Sequence, residues 1–257
     1  MSDPGLHPSA RGFATSADTY QRGRPGYPQE AIELIARRCD LRPGRRVLDL
    51  GAGTGKFTRA LISTGAAIIA LEPISAMRRT LHPQLPRARV IGATAESIPL
   101  RAASVSGVTA AQSFHWFRVD QTAAEIHRVL TDEGILALVW NVRDPTDQLQ
   151  AQVSEIIEPF RKGTPAERDR AWLPRLRATG LFGDPDVKSF RSTQRIDLHG
   201  LIDRVTSISY IAALLQTHTP RWSMPSVRSI REPAGSSISD TEPTCTCSTA
   251  RPRRERS

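Results

Sequence analysis

The sequence predicts an α/β fold in which a mostly parallel β-sheet carries helices on both faces. Between residues 46 and 140, short apolar runs alternate with stretches of helical periodicity. The runs at 67–71 and 135–140 are apolar at every position, not at every second one, which is typical of parallel strands buried on both sides. A glycine-rich turn lies between the first run and the helix that follows it. Because crossovers between parallel strands are almost always right-handed, we expect a doubly wound, Rossmann-like core.

The predicted elements follow one another in the order that such a sheet requires. A helix begins at Pro28, has apolar residues at helical spacing, and ends before Pro43. The strands of the core are expected at 46–50, 67–71, 88–92, 107–110 and 135–140, and its helices at 56–63, 76–81 and 119–130. Further along the chain we expect helices at 149–161, 170–179 and 198–215 and a candidate edge strand at 187–196.

Composition divides the chain into four parts. Residues 1–15 are polar and contain Pro and Gly, so we expect a flexible N-terminus. Residues 16–144 form the predicted core, and residues 145–215 form a helical and edge-strand part of the same domain. Residues 216–257 are rich in Ser, Thr, Pro and Arg and have no periodicity. Because this last part has too few large apolar side chains to offset its conformational entropy, we predict a disordered tail.

The composition indicates a cytoplasmic protein without a membrane span, and its charge gives no specific support for nucleic-acid binding. No apolar run is long enough for a membrane helix, and the polar N-terminus lacks the apolar stretch of a secretory signal. The three cysteines have neither a disulfide framework nor zinc-site spacing, so we expect no metal. The net charge of +9 comes from scattered arginines, without the basic stripe and interleaved aromatics of single-strand binders. No feature indicates an oligomeric state.

The glycine turn after the first strand carries the main chemical signal. Gly51, Gly53 and Gly55 allow the backbone to approach a ligand closely, with N–H groups directed at it. A dinucleotide fingerprint would need glycine at position 56, where Lys56 stands. A P-loop needs four residues between its glycines and Ser or Thr after the lysine, where Phe57 stands. The spacing therefore argues against both of these nucleotide-binding motifs.

The same turn resembles the acidic-x-Gly-x-Gly-x-Gly motif of class I S-adenosylmethionine-dependent methyltransferases, with Asp49 as its acidic residue. Glu72 ends the second strand about 20 residues later, where nucleoside-binding folds place a carboxylate on ribose hydroxyls. Residues 93–100 are similar to the family's loop beside the adenine, although Thr94 stands where many relatives have Asp. Residues 125–134 resemble the helix and turn that lead into the fifth strand. Each element alone also has a structural explanation, such as a solvated strand end for Glu72.

The joint occurrence of these four elements implies that S-adenosylmethionine is the cofactor. Carried over position by position, the resemblance implies a set of cofactor-binding residues on the loops that follow the first four strands. These residues are Asp49, Gly51, Ala52, Gly53, Gly55, Glu72, Pro73, Ala95, Glu96 and Gln112.

Residues 20–28 resemble the N-terminal lid of small-molecule methyltransferases, including those similar to trans-aconitate methyltransferase. The resemblance implies that Tyr20 and Arg24 contact the cofactor's methionine carboxylate or the methyl acceptor. A planar guanidinium suits a carboxylate, because its donors match both oxygens. The alternative is an ordinary helix start in which Arg24 is merely solvated.

The stretch 112–117 follows the fourth strand, at the sheet edge where ligands of open α/β folds bind. It combines aromatic side chains with His115, an imidazole suited to orienting or deprotonating an acceptor. The alternative is a packed aromatic corner with a hydrogen-bonded His115. His127, in the middle of a predicted helix, is expected to be structural.

The predicted function is methyl transfer to a small-molecule acceptor by in-line attack on the cofactor's activated methyl group, a carboxylate being one candidate acceptor. A carboxylate arrives ionised and needs no base, so that Arg24 and His115 would position it. Two other functions stay open at this point. One is a catalytically impaired cofactor-binding protein from a decayed or frameshifted gene, and the other is an RNA methyltransferase.

The C-terminus departs from the family. Relatives end in an antiparallel strand inserted beside the fifth strand, and no such apolar strand follows residue 214. We therefore expect the final antiparallel strand to be missing and suspect a reading-frame shift in GC-rich DNA. Residues 135–140 would then form an exposed apolar edge, and residues 187–196 would lose their neighbour.

Overall fold

A computed structural model of the chain describes residues 17–165, 169–192, 194–216 and 244–253. Its described strands are β1 Arg46–Leu50, β2 Ala67–Leu71, β3 Arg89–Ile91, β4 Val105–Ala111, β5 Leu130–Val142, β6 Asp186–Arg191 and β7 Thr244–Ala250. They form one sheet in the order β3-β2-β1-β4-β5-β7-β6. The strands β1 to β5 pair in parallel, and β7 pairs antiparallel with both β5 and β6. The predicted α/β fold with a mostly parallel sheet is confirmed.

The helices lie on both faces of this sheet and beyond its carboxyl edge. They are α1 Ala17–Gly23, α2 Gln29–Arg38, α3 Lys56–Leu61, α4 Ser75–Gln84, α5 Val119–Val129, α6 Gln148–Ile157, α7 Trp172–Ala178, α8 Leu198–Thr206 and α9 Ser209–Gln216. Asp147 and Asp197 begin α6 and α8 by accepting hydrogen bonds from the backbone N–H groups of the first turn. The single helix expected at 198–215 is two helices, which separate at residues 207–208. None of the described helices has the length and apolar character needed to cross a membrane.

The continuous apolarity of the strands has a direct structural cause. On β5, Leu136 and Leu138 pack into the core layer that contains α5 and α7. The intervening Ile135, Ala137 and Val139 pack into the layer that contains α2 and α3. Because successive side chains of a strand point to opposite faces, a strand covered on both sides needs apolar residues at every position.

The expected absence of the last antiparallel strand is wrong. Residues 244–250 lie between the two strands thought to lack neighbours: they pair with 136–142 of β5 and, over 244–249, with 186–191 of β6. The apolar edge of β5 is therefore covered, and β6 has a partner. The predicted disorder is wrong for residues 244–253, whereas residues 1–15, 217–243 and 254–257 lie outside the described residues. The frameshift hypothesis loses the missing strand as an argument, whereas the Ser-, Thr-, Pro- and Arg-rich composition remains.

The prediction that the last strand is missing relied on the polar composition of residues 244–250. It failed because strands pair through backbone groups. A strand inserted between two others satisfies the N–H and C=O groups of both edges, whatever its side chains are. β-Branched threonines favour the extended conformation, and Thr249 and Ala250 are buried. The apolar surface that stabilises this end of the sheet comes mainly from β5, so β7 itself needs little hydrophobicity.

Candidate functional site

The glycine turn joins β1 to α3 through a left-handed backbone. Gly51, Gly53 and Gly55 have φ angles of 62°, 58° and 83°, a region that residues with a Cβ rarely adopt. The backbone N–H groups of Gly51 and Ala52 donate to the Leu71 carbonyl at 2.8 and 3.1 Å. The turn is thereby held against the carboxyl end of β2.

Glu72, directly after β2, accepts hydrogen bonds from both sides of this junction. One carboxylate oxygen accepts from the Gly53 N–H and the other from the Ile74 N–H, each at 2.8 Å. The side chain is buried, so the alternative of a solvated strand end is wrong. Burial raises the pKa of Glu72 to about 7, although the two N–H donors favour the ionised form.

Asp49 lies beneath the turn, on β1. Its two oxygens accept hydrogen bonds from the hydroxyls of Thr58 on α3, at 2.6 Å, and Thr109 on β4, at 2.9 Å. Burial raises the pKa of this carboxyl to about 6, against the effect of the two hydroxyl donors. The carboxylate therefore links three elements that support the turn from below.

The other predicted cofactor residues lie on loops at the same edge of the sheet. Ala95 is buried after β3, and the neighbouring Glu96 accepts a hydrogen bond from the Arg118 N–H at 3.0 Å. Gln112, after β4, has a φ of 57°, and its side-chain amide donates to the Asn141 carbonyl at 3.1 Å. The structure thus brings the predicted residues after β1, β2, β3 and β4 to one edge.

A cavity of about 510 Å³ lies beyond the ends of β4 and β5. It is closed from the other side by residues of α1, α6, α8 and α9. Three of the residues singled out in the sequence for the acceptor site line it, namely Tyr20, Arg24 and His115, together with Gln112 from the cofactor set. The structure therefore brings residues from positions 20 to 115 into one site.

Arg24 is hydrogen-bonded to the residue that follows α8. Its Nε donates to the Ser207 hydroxyl at 3.1 Å, and its guanidinium carbon lies 5.1 Å from the centre of the Tyr20 ring. Lys56, the first residue of α3, donates from Nζ to the Arg24 carbonyl at 2.6 Å. Burial raises the pKa of the Tyr20 hydroxyl and lowers that of Lys56. The alternative of a merely solvated Arg24 is wrong, since its side chain is half-buried and hydrogen-bonded.

Basic side chains that no motif marked also line the cavity. They are Arg143, Arg161 and Arg204, which join Arg24 and Lys56, whereas Glu158 is the acidic residue among the described lining residues. Burial, together with the nearby charges of Arg24 and Arg143, lowers the pKa of Arg204 to about 10. Such crowding of like charges in a partly buried site favours the binding of an anion.

His115 lines the cavity from an aromatic corner. Its Nδ1 accepts a hydrogen bond from the Trp140 indole N–H at 3.3 Å. Phe114 next to it is fully buried and packs edge-on against Trp172. Burial, with a further effect from Arg24, lowers the pKa of His115 to about 3, so the ring is neutral near pH 7. The packed aromatic corner with a hydrogen-bonded His115 is confirmed, and the same corner presents the imidazole to the cavity.

His127 lies apart from the site. One ring nitrogen is 2.9 Å from the Arg253 carbonyl, just after β7, and the ring packs edge-on against Phe182. The expected structural role agrees with these contacts.

Known proteins resemble both the sequence and the fold. The profile of a family described as a methyltransferase domain matches residues 48–138. An uncharacterized methyltransferase of Mycobacterium tuberculosis is 39% identical over 198 residues, which are 77% of this chain and 76% of that protein. An uncharacterized methyltransferase-like protein of Schizosaccharomyces pombe is 34% identical over 203 residues, 79% of each chain.

A solved structure supports the topology. It is that of a provisionally assigned type II methyltransferase from Anaeromyxobacter dehalogenans, with a TM-score of 0.60 and 23% identity, covering 90% of this chain and 97% of that chain. At this identity the likeness shows the fold, and the sequence relatives carry the family assignment.

Proposed function

Because the chain belongs to the class I S-adenosylmethionine-dependent methyltransferases, we propose that it transfers the cofactor's methyl group to a small-molecule carboxylate bound in the cavity beside His115. The observation that carries this proposal is the charge of the cavity. Five basic side chains and one acidic side chain line its described part, and ion pairs with Glu158 and Asp169 offset the charge of Arg161. An anionic acceptor offsets that excess of positive charge, whereas a neutral or cationic acceptor leaves it in place.

The residues at the glycine turn fit the cofactor. A Cβ built on Gly53 would meet no atom within 4 Å, so open space lies beside a turn that is elsewhere tightly packed. Each Glu72 oxygen accepts one hydrogen bond from the backbone and retains a second lone pair for a hydroxyl donor. When bound, S-adenosylmethionine supplies a methyl group that its sulfonium already activates.

The proposed cofactor site comprises ten residues at this edge. Backbone of the turn and the Glu72 carboxylate hold the nucleoside part, and Asp49 supports the turn from beneath. The remaining residues are Ala52, Pro73, Ala95, Glu96 and Gln112, on the loops after β1, β2, β3 and β4.

The acceptor carboxylate is held by guanidinium groups. Arg24 and Arg204 both line the cavity, and guanidinium donors pair with the two oxygens of a carboxylate. These charges keep the acceptor ionised, and its oxygen is then already nucleophilic. The residues therefore contribute by orienting the acceptor, and no base is needed to remove a proton.

The helices α1 and α8 exclude water from the site. Arg22 of α1 forms an ion pair with Asp203 of α8 at 2.6 Å. A Cβ on Gly23 would lie 2.3 Å from the Arg204 backbone nitrogen, so only glycine permits this close approach. The Thr54 hydroxyl donates to the Gln21 side chain at 2.7 Å and joins α1 to the glycine turn. The paired helices thereby cover both the proposed cofactor site and the acceptor cavity.

The proposal is tested with S-adenosylmethionine carrying a radiolabelled methyl group and a panel of carboxylic acids, each paired with its amide and its alcohol. We expect base-labile methyl esters from the acids. Arg204→Gln should raise the KM for the acid by about 10- to 100-fold, because a charge-assisted contact is lost. Arg101→Gln, on an exposed loop away from the cavity, is the matched control. Methylation restricted to amines or alcohols, or an unchanged KM in Arg204→Gln, would contradict the proposal.

A further inference from the structure

Trp140 connects the aromatic corner to the cavity. It is fully buried on β5, and its ring stacks on that of Trp172 with centroids 5.0 Å apart and planes inclined by 22°. Trp172 in turn packs edge-on against Phe114, at 5.8 Å between centroids. The indole N–H of Trp140 is directed at Nδ1 of His115, 3.3 Å away. Packing therefore fixes both the position and the direction of this donor.

The chemistry of the two rings determines which nitrogen of His115 carries the proton. An indole nitrogen donates and never accepts, so Nδ1 of His115 must be the acceptor. In a neutral imidazole the other nitrogen, Nε2, then holds the proton. No hydrogen bond to Nε2 is made by the part of the chain that the structure describes, and His115 lines the cavity.

We propose that Trp140 is a positioning residue that holds His115 in its Nε2-protonated tautomer, so that His115 donates a hydrogen bond to the acceptor carboxylate. This role rests on the proposed function. A base would need a free lone pair on the nitrogen that meets the acceptor, and the proton on Nε2 occupies that place. A donor complements an ionised carboxylate, which has no proton to lose.

Burial keeps the His115 ring neutral, and three charged groups that face it have smaller effects on its pKa. Arg24, after α1, and Arg161, after α6, disfavour a positive charge on it, whereas Asp169, before α7, favours one. Burial outweighs all three, and the pKa of His115 falls to about 3. Exchange between the two neutral tautomers is then the process that Trp140 has to prevent.

The stack itself supplies a matched control. Trp172 is buried in contact with Trp140, but its own indole nitrogen has no hydrogen-bond partner among the described residues. Trp172→Phe therefore removes an indole from the same stack without removing a donor to His115. Trp140→Phe removes both the indole and that donor. A purely structural role for Trp140 predicts similar effects from the two substitutions.

The tautomer is measured on the full chain with ¹⁵N-labelled histidine by long-range ¹H–¹⁵N correlation, with His115→Gln identifying the signal. In the unsubstituted protein without acceptor we expect Nε2 protonated and Nδ1 unprotonated from pH 5 to 8. In Trp140→Phe both neutral tautomers should be populated, because the donor that favoured an unprotonated Nδ1 is gone. Trp172→Phe should keep the original pattern. A proton on Nδ1 in the unsubstituted protein would overturn the inference even if Trp140→Phe failed to fold.

Kinetics with a carboxylic acid that the panel shows to be methylated complete the test. We expect Trp140→Phe to lower kcat/KM by about 10-fold, with cofactor affinity unchanged within about twofold. Trp172→Phe should stay within about threefold of the unsubstituted enzyme. If Trp140→Phe and Trp172→Phe both fold cooperatively and lose kcat/KM equally, Trp140 acts only through packing. If the tautomer is as expected but no carboxylate is methylated, the proposed acceptor is wrong and the role in its binding falls with it.

Discussion

The backbone N–H of Gly53 donates a hydrogen bond of 2.8 Å to the Glu72 carboxylate and thereby joins the glycine turn to the end of β2. The same carboxylate accepts from the Ile74 N–H, which begins the path into α4. One buried acidic side chain thus holds two loops of the proposed cofactor site in a fixed relation. Changes at Glu72 should therefore affect cofactor binding more than they affect the acceptor cavity.

Glu72→Gln should weaken binding of S-adenosylhomocysteine by about 10-fold or more, because an amide NH₂ replaces one of the two accepting oxygens. In the unsubstituted protein the affinity should fall as pH drops from 8 to 6, since a pKa of about 7 means that the carboxylate becomes protonated over this range. The variant should lack that dependence. Isothermal titration at several pH values measures both effects. Glu33→Gln, on an exposed turn of α2, should bind as before, and a pH-independent affinity in the unsubstituted protein would count against Glu72.

Gly51→Ala and Gly53→Ala should separate folding from binding. A Cβ at Gly51 would lie 2.7 Å from the Ser113 Cβ, and the φ of Gly51 is positive. For both reasons we expect Gly51→Ala to lower the free energy of unfolding by about 2–4 kcal/mol. A Cβ at Gly53 meets nothing, and the positive φ alone should cost about 1–2 kcal/mol. Gly53→Ala should nevertheless weaken cofactor binding, because its Cβ enters the open space beside the turn. Urea denaturation measures the stability of the two variants, and calorimetric titration measures their cofactor binding. Equal destabilisation by Gly51→Ala and Gly53→Ala would contradict the role given to the contact with Ser113.

Asp49→Asn should flatten the pH dependence of stability. Burial raises the pKa of Asp49 from 3.8 to about 6, so its favourable contribution is fully present below about pH 4 and is lost as pH rises through 6. The shift corresponds to about 3 kcal/mol of unfolding free energy. Thermal melts from pH 4.5 to 8 should therefore show a smaller decrease in Tm for the variant. Asp144→Asn is the control, because hydrogen bonds from Thr146 lower the pKa of that carboxyl. A slope for Asp49→Asn equal to that of the unsubstituted protein would refute the assignment.

Removal of residues 244–257 should expose the edges of β5 and β6. The backbone groups of Leu136–Val142 would lose their partners, and an unpaired apolar strand promotes aggregation. We expect large oligomers in size-exclusion chromatography and no cooperative thermal melt. A chain ending at residue 253 retains β7 and should behave like the full-length protein. An unchanged Tm in the shorter chain would mean that β7 contributes little to the fold.

Local patterns in the sequence were sufficient for the parallel core and the glycine turn. The strands predicted at 46–50 and 67–71 are β1 and β2 with those bounds, because a strand covered on both faces is mainly apolar at consecutive positions. The turn was recognisable because a left-handed backbone at Gly51 and Gly53 excludes most other residues. Glu72 could be placed beside it, since parallel strands bring their carboxyl ends to the same edge.

Contacts between distant parts of the chain decided the rest. The edge strand at residues 244–250 has little apolar pattern of its own, and its place follows from the unpaired backbone of β5 and β6. The grouping of Arg143 and Arg204 with Arg24 depends on how α8 packs against α1. The hydrogen bond from Trp140 to His115 joins two strand ends that are 25 residues apart. Sequence periodicity therefore determined the elements and the turn, because those depend on neighbouring residues. Tertiary packing decided the last strand, the charge of the cavity and the tautomer of His115, because each depends on residues far apart in the chain.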